Sequence, residues 1–260
     1  MTILQTILKW FVPKHLKHYE FDPEYIANTK ASPDDRRDFM PVFATNVPYP
    51  ELYEIPNRPS IRYQARLGSC ASHAAVRSYE TQLLQADRYI EGSELFHYWI
   101  VRHEISGAGD ADSGMVIRDA CKGLEKYGMA LEYAWPYDST KLNVQPTWVA
   151  YQFAHLYRIS RYERLWALED IKRSLFENVP VICGIHLTSN FYNLSNAKYL
   201  WIPTGADVGG HAVTVVGYND KTSKLIIDNS WGTNWGKAGV FEMSYDDFKK
   251  VSFDWFRILR

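Results

Sequence analysis

The chain has 260 residues, 46% of them hydrophobic and 23% charged, with a formal net charge of -1. That length and balance describe a folded chain with a real core, in one large domain or two small lobes. The near-zero charge gives no bulk electrostatic case for nucleic acid, and no stretch approaches the length of a membrane-spanning helix.

Ile3, Leu4, Ile7, Leu8 and Phe11 fall on one helical face, Pro13 stops it, and Lys9, Lys14, His15, Lys17 and His18 give it a basic flank. The pattern predicts an amphipathic helix at residues 3–12. It is expected to pack on the protein's own body or on a protein partner through residues 1–18, in preference to a membrane surface. The start lacks the basic opening and small-residue cleavage site of a secretory signal. Residues 19–60, rich in Pro, Asp, Asn and Tyr, read as an extended arm with short turns, too poor in apolar residues to be a domain.

From Ser69 onward Ala71, Ala74, Ala75, Ser78, Tyr79, Gln82 and Leu83 suit a close-packed helix with Cys70 in its first turn. Ser93 is placed to cap a helix through Leu95, Tyr98, Trp99 and Val101. Asp112-Ser113-Gly114 reads as a turn, followed by a helix carrying Val116, Ile117, Ala120, Cys121 and Leu124 and ending at Gly128. Trp135-Pro136-Tyr137 closes this helical half. Tyr151 to His155 alternates as a strand would, and a helix is expected from about Ala167 to Glu177. Val181–Leu187, Ala212–Tyr218, Lys224–Asp228 and Gly239–Met243 read as strands. The expected architecture is α+β. An arm at 1–57 precedes a domain at 58–260, with a helical lobe at about 58–140 and a lobe of antiparallel sheet or barrel at about 141–260.

Cys70, Cys121 and Cys183 have no metal-like spacing, and an odd number cannot all pair. Three free thiols in the cytoplasm or another reducing compartment are expected. No metal or cofactor is called for. His103, His155 and His186 lack metal spacing, and no helix pattern follows Gly209-Gly210 as a phosphate loop requires.

Chemistry concentrates in three separated places: Gln64 to Cys70, Gly209-Gly210-His211, and Asn229-Ser230-Trp231-Gly232. A thiol attacks a carbonyl only as thiolate, so it needs an imidazole beside it and gains from a helix N-terminus. Cys70 is the candidate nucleophile, His211 the candidate base and Asn229 the group that would orient the imidazole. The Gln64 amide and the Cys70 backbone N–H are candidate oxyanion donors. Trp231 is placed to shield the His–Asn bond from water. His73, three residues past Cys70, offers a second imidazole, but a core histidine is the expected reading.

In these residues the chain resembles the papain-like cysteine peptidases. The likeness rests on Gln64, Gly68-Ser69-Cys70, His211-Ala212-Val213, Val216-Gly217-Tyr218, and the block Asn229-Ser230-Trp231-Gly232-Thr233-Asn234-Trp235-Gly236 with Gly239. It covers residues 58–260. The resemblance implies a two-lobed fold with the site in the cleft between lobes, and peptide-bond hydrolysis through a thioester acyl-enzyme on protein or peptide substrates. It gives Cys70, His211, Asn229 and Gln64 the catalytic roles, and Ser113-Gly114 looks like the family's turn that hydrogen-bonds the substrate backbone; Gly210, where bare backbone would let a substrate pass close, and Trp231 are the further expected substrate contacts. Leu67 stands where secreted members have a cysteine and Ala71 where an aromatic is usual, which points to the disulfide-free bacterial, archaeal or viral branch. The arm does not resemble the long helical inhibitory propeptide of lysosomal members. A second reading, drawn from the basic N-terminal helix, is a binding or structural component of a larger assembly, such as a virion or secreted complex, on the same fold.

Overall fold

The computed structural model describes residues 27–35, 38–41, 43 and 48–260, so the helix expected at residues 3–12 lies outside the described residues. Helix α1 (Cys70–Gln85) runs through the centre of the molecule, buried on nearly every side from Cys70 to Leu83. Its small residues Ala71, Ala74 and Ala75 let neighbouring backbone approach closely. Helix α2 (Glu94–Ile100) starts where Ser93 Oγ accepts the Phe96 N–H at 3.0 Å. Helix α3 (Ile117–Lys126) follows the turn at Gly114. These three pack together into the helical lobe, around Tyr98, Val101, Ile117, Cys121 and Leu124.

Residues Trp148–His155 form helix α4, not the strand that the alternation at Tyr151–His155 predicts. The i, i+4 pair Ala150 and Ala154 is fully buried while Trp148 and Val149 are exposed, so one helical face is the core face. Thr147 Oγ1 caps it, accepting the Ala150 N–H at 3.3 Å.

The second lobe holds β1 (Leu52–Glu54), β2 (Arg161–Leu165), β3 (Val181–Thr188), β4 (Leu200–Trp201), β5 (Asp207–Asn219), β6 (Lys224–Asp228), β7 (Val240–Ser244) and β8 (Ser252–Leu259). Helices α5 (Leu168–Phe176) and α6 (Tyr245–Val251) lie between strands in the chain. The strand order is β2-β8-β3-β5-β6-β7-β4, with β1 paired on β5. The sheet stays open, which corrects the barrel alternative, and β4 pairs parallel to β7, so it is mixed. Its core gathers Phe191, Trp201, Trp231, Trp235 and Phe241.

Strands β2 and β8 and helix α6 were not predicted. In β8 the alternation breaks at Asp254, which takes a left-handed φ of 50° at the register shift against Cys183 and Gly184. Such a bulge turns one side chain out of the ladder's pattern.

Polar links join the lobes along α1, among them Ser78 Oγ to Pro180 O at 3.2 Å and Gln82 Nε2 to Ile258 O at 3.1 Å. Arg77 donates from Nε and Nη2 to Asp228 Oδ2 at 2.8 and 2.7 Å, and Thr214 Oγ1 donates to Ala74 O at 3.4 Å. Cys70, Ala74 and Arg77 share one helix face, so the surface that presents the thiol also grips β5 and β6.

Candidate active site

Cys70 is the first residue of α1 and fully buried. Burial pushes its thiol above the ordinary cysteine range, while the Thr29 hydroxyl and backbone groups of Ala212, Ala71 and Cys70 itself draw it back in part. The contact with Ala212 puts the sulfur against the residue that follows His211. Cys121 and Cys183 are also buried and free, and burial raises both thiols far more. Position at a helix start is what sets Cys70 apart.

His211 lies on β5 opposite Ile185 and is 1% exposed. Its Nε2 donates to Asn229 Oδ1 at 2.7 Å, so the neutral ring leaves Nδ1 as the basic nitrogen. Asn229 follows β6 directly. Its N–H donates to Gly239 O at 3.0 Å and its Oδ1 also accepts the Ser230 N–H at 2.8 Å, which fixes the amide orientation. Burial pulls the imidazole down to about 4, the Asn229 bond acts against this, and the charge of His73 adds to it. A buried thiol raised and a buried imidazole lowered each favour the neutral form of that group.

Trp231 is 2% exposed, stacks on Tyr192 at 5.3 Å and lies 5.0 Å from the His211 ring. It covers the imidazole. His73 is a core histidine, with Nδ1 3.1 Å from Ser69 O and its ring 5.0 Å from Tyr137.

Gln64 is fully buried and held at both ends. Its Oε1 accepts from Ser230 Oγ at 2.5 Å and its Nε2 donates one hydrogen to Leu67 O at 2.8 Å. The Gln64 backbone N–H donates to Ser230 O at 2.9 Å, and Tyr137 OH donates to Gln64 O at 2.7 Å. Ser230 and Tyr137 thus lock the amide beside the nucleophile loop.

Ser113-Gly114 borders the cleft, but its backbone is engaged. Gly114 N–H donates to Tyr98 OH at 3.2 Å and Ser113 Oγ to Gly114 O at 3.2 Å. Asp112 ties this turn to the nucleophile loop, accepting from Gly68 N–H at 2.9 Å and from Tyr98 OH.

The arm runs through the site. Thr29 Oγ1 and Cys70 Sγ share a hydrogen bond at 2.9 Å, Thr29 N–H donates to Gly210 O at 2.9 Å, and Asn28 Nδ2 donates to Asp112 O at 3.2 Å. Asn28 pairs with Gly210 as a parallel bridge. Glycines make the track. A Cβ on Gly210 would overlap Thr29 O, one on Gly209 would overlap Ala27 O, and one on Gly68 would sit 2.6 Å from Asn28 Nδ2. Sequence reasoning assigned Gly210 and Gly114 to substrate contacts and missed Asn28 and Thr29. Those two polar residues sit in an arm without periodicity and carry no signal that points to the cleft.

Comparisons with known proteins place the chain among cysteine proteases by sequence and by fold. The model of the papain family cysteine protease matches residues 57–254. A peptidase C1-like protein of Acanthamoeba polyphaga mimivirus is 33% identical over 197 residues, covering 70% of this chain and 63% of that protein. A cysteine protease of Blomia tropicalis is 28% identical over 193 residues, covering 69% of this chain and 55% of that protein. The chain therefore spans less than two thirds of the length of both relatives. Among solved structures, xylellain, a cysteine protease from Xylella fastidiosa, superposes with a TM-score of 0.80 at 27% identity, over 93% of this chain and 99% of its own.

Proposed function

The chain belongs to the papain family of cysteine proteases, and on that footing we propose that it is an endopeptidase acting through Cys70, His211 and Asn229, with the arm as its built-in inhibitor. The observation that carries this reading is the arm itself. Residues 27–29 thread a glycine-lined cleft with Thr29 hydrogen-bonded to the Cys70 thiol and to Gly210, so the cleft admits an extended peptide backbone at the nucleophile.

With the arm withdrawn, Nδ1 of His211 takes the thiol proton, and the resulting imidazolium is held in plane by its Nε2–H bond to Asn229 Oδ1. The thiolate forms a bond to the peptide carbonyl carbon, and the C=O pair moves onto oxygen. The Cys70 N–H and the second Gln64 amide hydrogen are the donors available to that oxyanion; one such donor is typically worth about 3 kcal/mol. The C–N bond then breaks as Nδ1–H returns its proton to the leaving amine, leaving a thioester. Water, deprotonated by His211, attacks the thioester, and collapse frees the carboxylic acid and the thiol.

In the closed state the group facing the sulfur is the Thr29 hydroxyl, not a carbonyl carbon, so the arm blocks without being presented for attack. The assembly-component reading rests on residues 1–18, outside the described residues, and nothing at the site favours it.

The test incubates the full chain with an unstructured protein and maps products by mass spectrometry, for wild type and Cys70→Ala. Cleavage by wild type alone is expected. Cleavage that persists in Cys70→Ala, or none by wild type once Cys70 is accessible to iodoacetamide, ends the reading.

A further inference from the structure

One arginine of the body turns the hydrogen bonds of its guanidinium to the arm. Arg118, in the first turn of α3, forks onto Asp38, with Nε to Oδ1 at 2.8 Å and Nη2 to Oδ2 at 2.5 Å. Its Nη1 donates to Pro33 O. Among the described residues, every hydrogen bond of this guanidinium goes to the arm. Arg164 on β2 completes the enclosure, with Nη1 3.3 Å from Asp38 Oδ2 and Nη2 3.2 Å from Asp254 Oδ1. Both guanidinium groups lie near the Phe256 ring, at 5.8 and 5.7 Å. The carboxylate so held is 4% exposed, although it comes from an arm.

The enclosure continues the cleft. Ser32, three residues past Thr29, donates its N–H to Asp254 and accepts from the Arg118 N–H at 3.3 Å. The bulge at Asp254 aims that carboxylate at the arm. Once the arm leaves, Arg118 loses all its hydrogen-bond partners, while Arg164 keeps Asp254. Two arginines and one buried aspartate leave a net single positive charge around a planar fork. That set matches one carboxylate. A doubly charged phosphate would meet Asp254 at the back of the site.

We infer that Arg118 and Arg164 form a carboxylate-binding subsite beside the cleft, filled by Asp38 in the closed state and by an Asp or Glu side chain of the peptide substrate in the open one. The subsite rests on the peptidase reading above and adds a substrate class to it: peptides bearing an acid at one fixed distance from the cut bond. The arm then inhibits by occupying the acid subsite and the thiol together.

The test uses the full chain carrying Asp38→Asn, which takes the carboxylate out of the fork while keeping the arm, with and without Arg118→Gln. Peptides that differ only by Asp or Asn at each position around one cut site are compared by kcat/KM. The expected result is a preference of about tenfold for Asp at one position in Asp38→Asn, falling to within twofold when Arg118→Gln is added; a bidentate charged contact is of that order. Arg118→Lys, which keeps the charge without the fork, is expected to retain less than a third of the preference and serves if Arg118→Gln does not fold. No Asp preference at any position, or one that survives these substitutions, overturns the subsite while leaving the peptidase reading intact. If no peptide is cut although Cys70 labels, the peptidase reading falls. Fluorescence anisotropy of the same labelled peptides then decides the subsite. Binding at least fivefold tighter for the Asp peptide, and lost with Arg118→Gln, upholds it; equal binding overturns it.

Discussion

Thr29→Val isolates the hydroxyl that faces the nucleophile. Threonine and valine share a shape, so the change removes the 2.9 Å bond to Cys70 Sγ and keeps the arm's course past Gly210. A net hydrogen bond of this kind is worth about 1 kcal/mol, which multiplies the open fraction of the arm about fivefold. Cys70 is fully buried under the arm, so alkylation by iodoacetamide reads the open fraction directly. Its rate in Thr29→Val should rise about fivefold over wild type, read by mass spectrometry of the tryptic peptides. Cys121 and Cys183, each fully buried in the core of its own lobe, should label equally slowly in both proteins. Gly210→Ala should raise the Cys70 rate further, because its Cβ would overlap the Thr29 carbonyl oxygen and force the arm out. If wild-type Cys70 labels as fast as an exposed thiol, or if Thr29→Val leaves the rate within twofold, the arm does not guard the thiol in solution.

Asp228→Leu leaves Arg77 without its buried partner and should destabilise the chain by about 3–5 kcal/mol in urea unfolding, whereas Arg77→Met with Asp228→Leu should recover most of the loss; equal losses in the single and double variants would refute an ion pair at that seam. Gln64→Ala should lower kcat by about a hundredfold with KM little changed, if its free amide hydrogen serves the oxyanion; a loss confined to KM would assign it to binding instead. His97, with its two ring nitrogens 2.9 Å from Ser72 Oγ and Ala120 O, is pulled by burial to about 4. It stays neutral in the fold while the unfolded chain takes up a proton below about pH 6.5. Its contribution is therefore whole above pH 6.5 and lost as pH falls towards 4, an amount of about 3 kcal/mol. Burial holds the carboxyls of Glu80 and Glu132 up, to about 7 and about 9, and they act in the opposite direction. The measurement is therefore the stability gap between wild type and His97→Gln in urea at pH 7 and pH 4.5. The gap should move against wild type on acidification, and one that stays constant refutes the assignment.

Much of the candidate site was readable along the chain because each piece is local. Cys70 at the head of a small-residue helix, His211 after two glycines and Asn229 at a strand end announce themselves within a few neighbours, and α1, β3, β5 and β6 follow from local apolar patterning and the Ser93 cap from its side-chain chemistry. The errors have physical sources. Tyr151–His155 alternates by accident while the buried pair Ala150 and Ala154 sets a helical period, and β8 hides because a bulge at Asp254 interrupts its alternation.

Sequence by itself determined which candidate groups the chain holds, since thiol, imidazole and amide keep their identity and local setting wherever the chain carries them. Only the tertiary structure decided what state that chemistry is in. Thr29 meets Cys70 across 41 positions and Asp38 meets Arg118 across 80, and no local pattern encodes either meeting. They exist because an extended arm needs no periodicity of its own: it borrows its order from the glycine track and the arginine fork of the body it lies on.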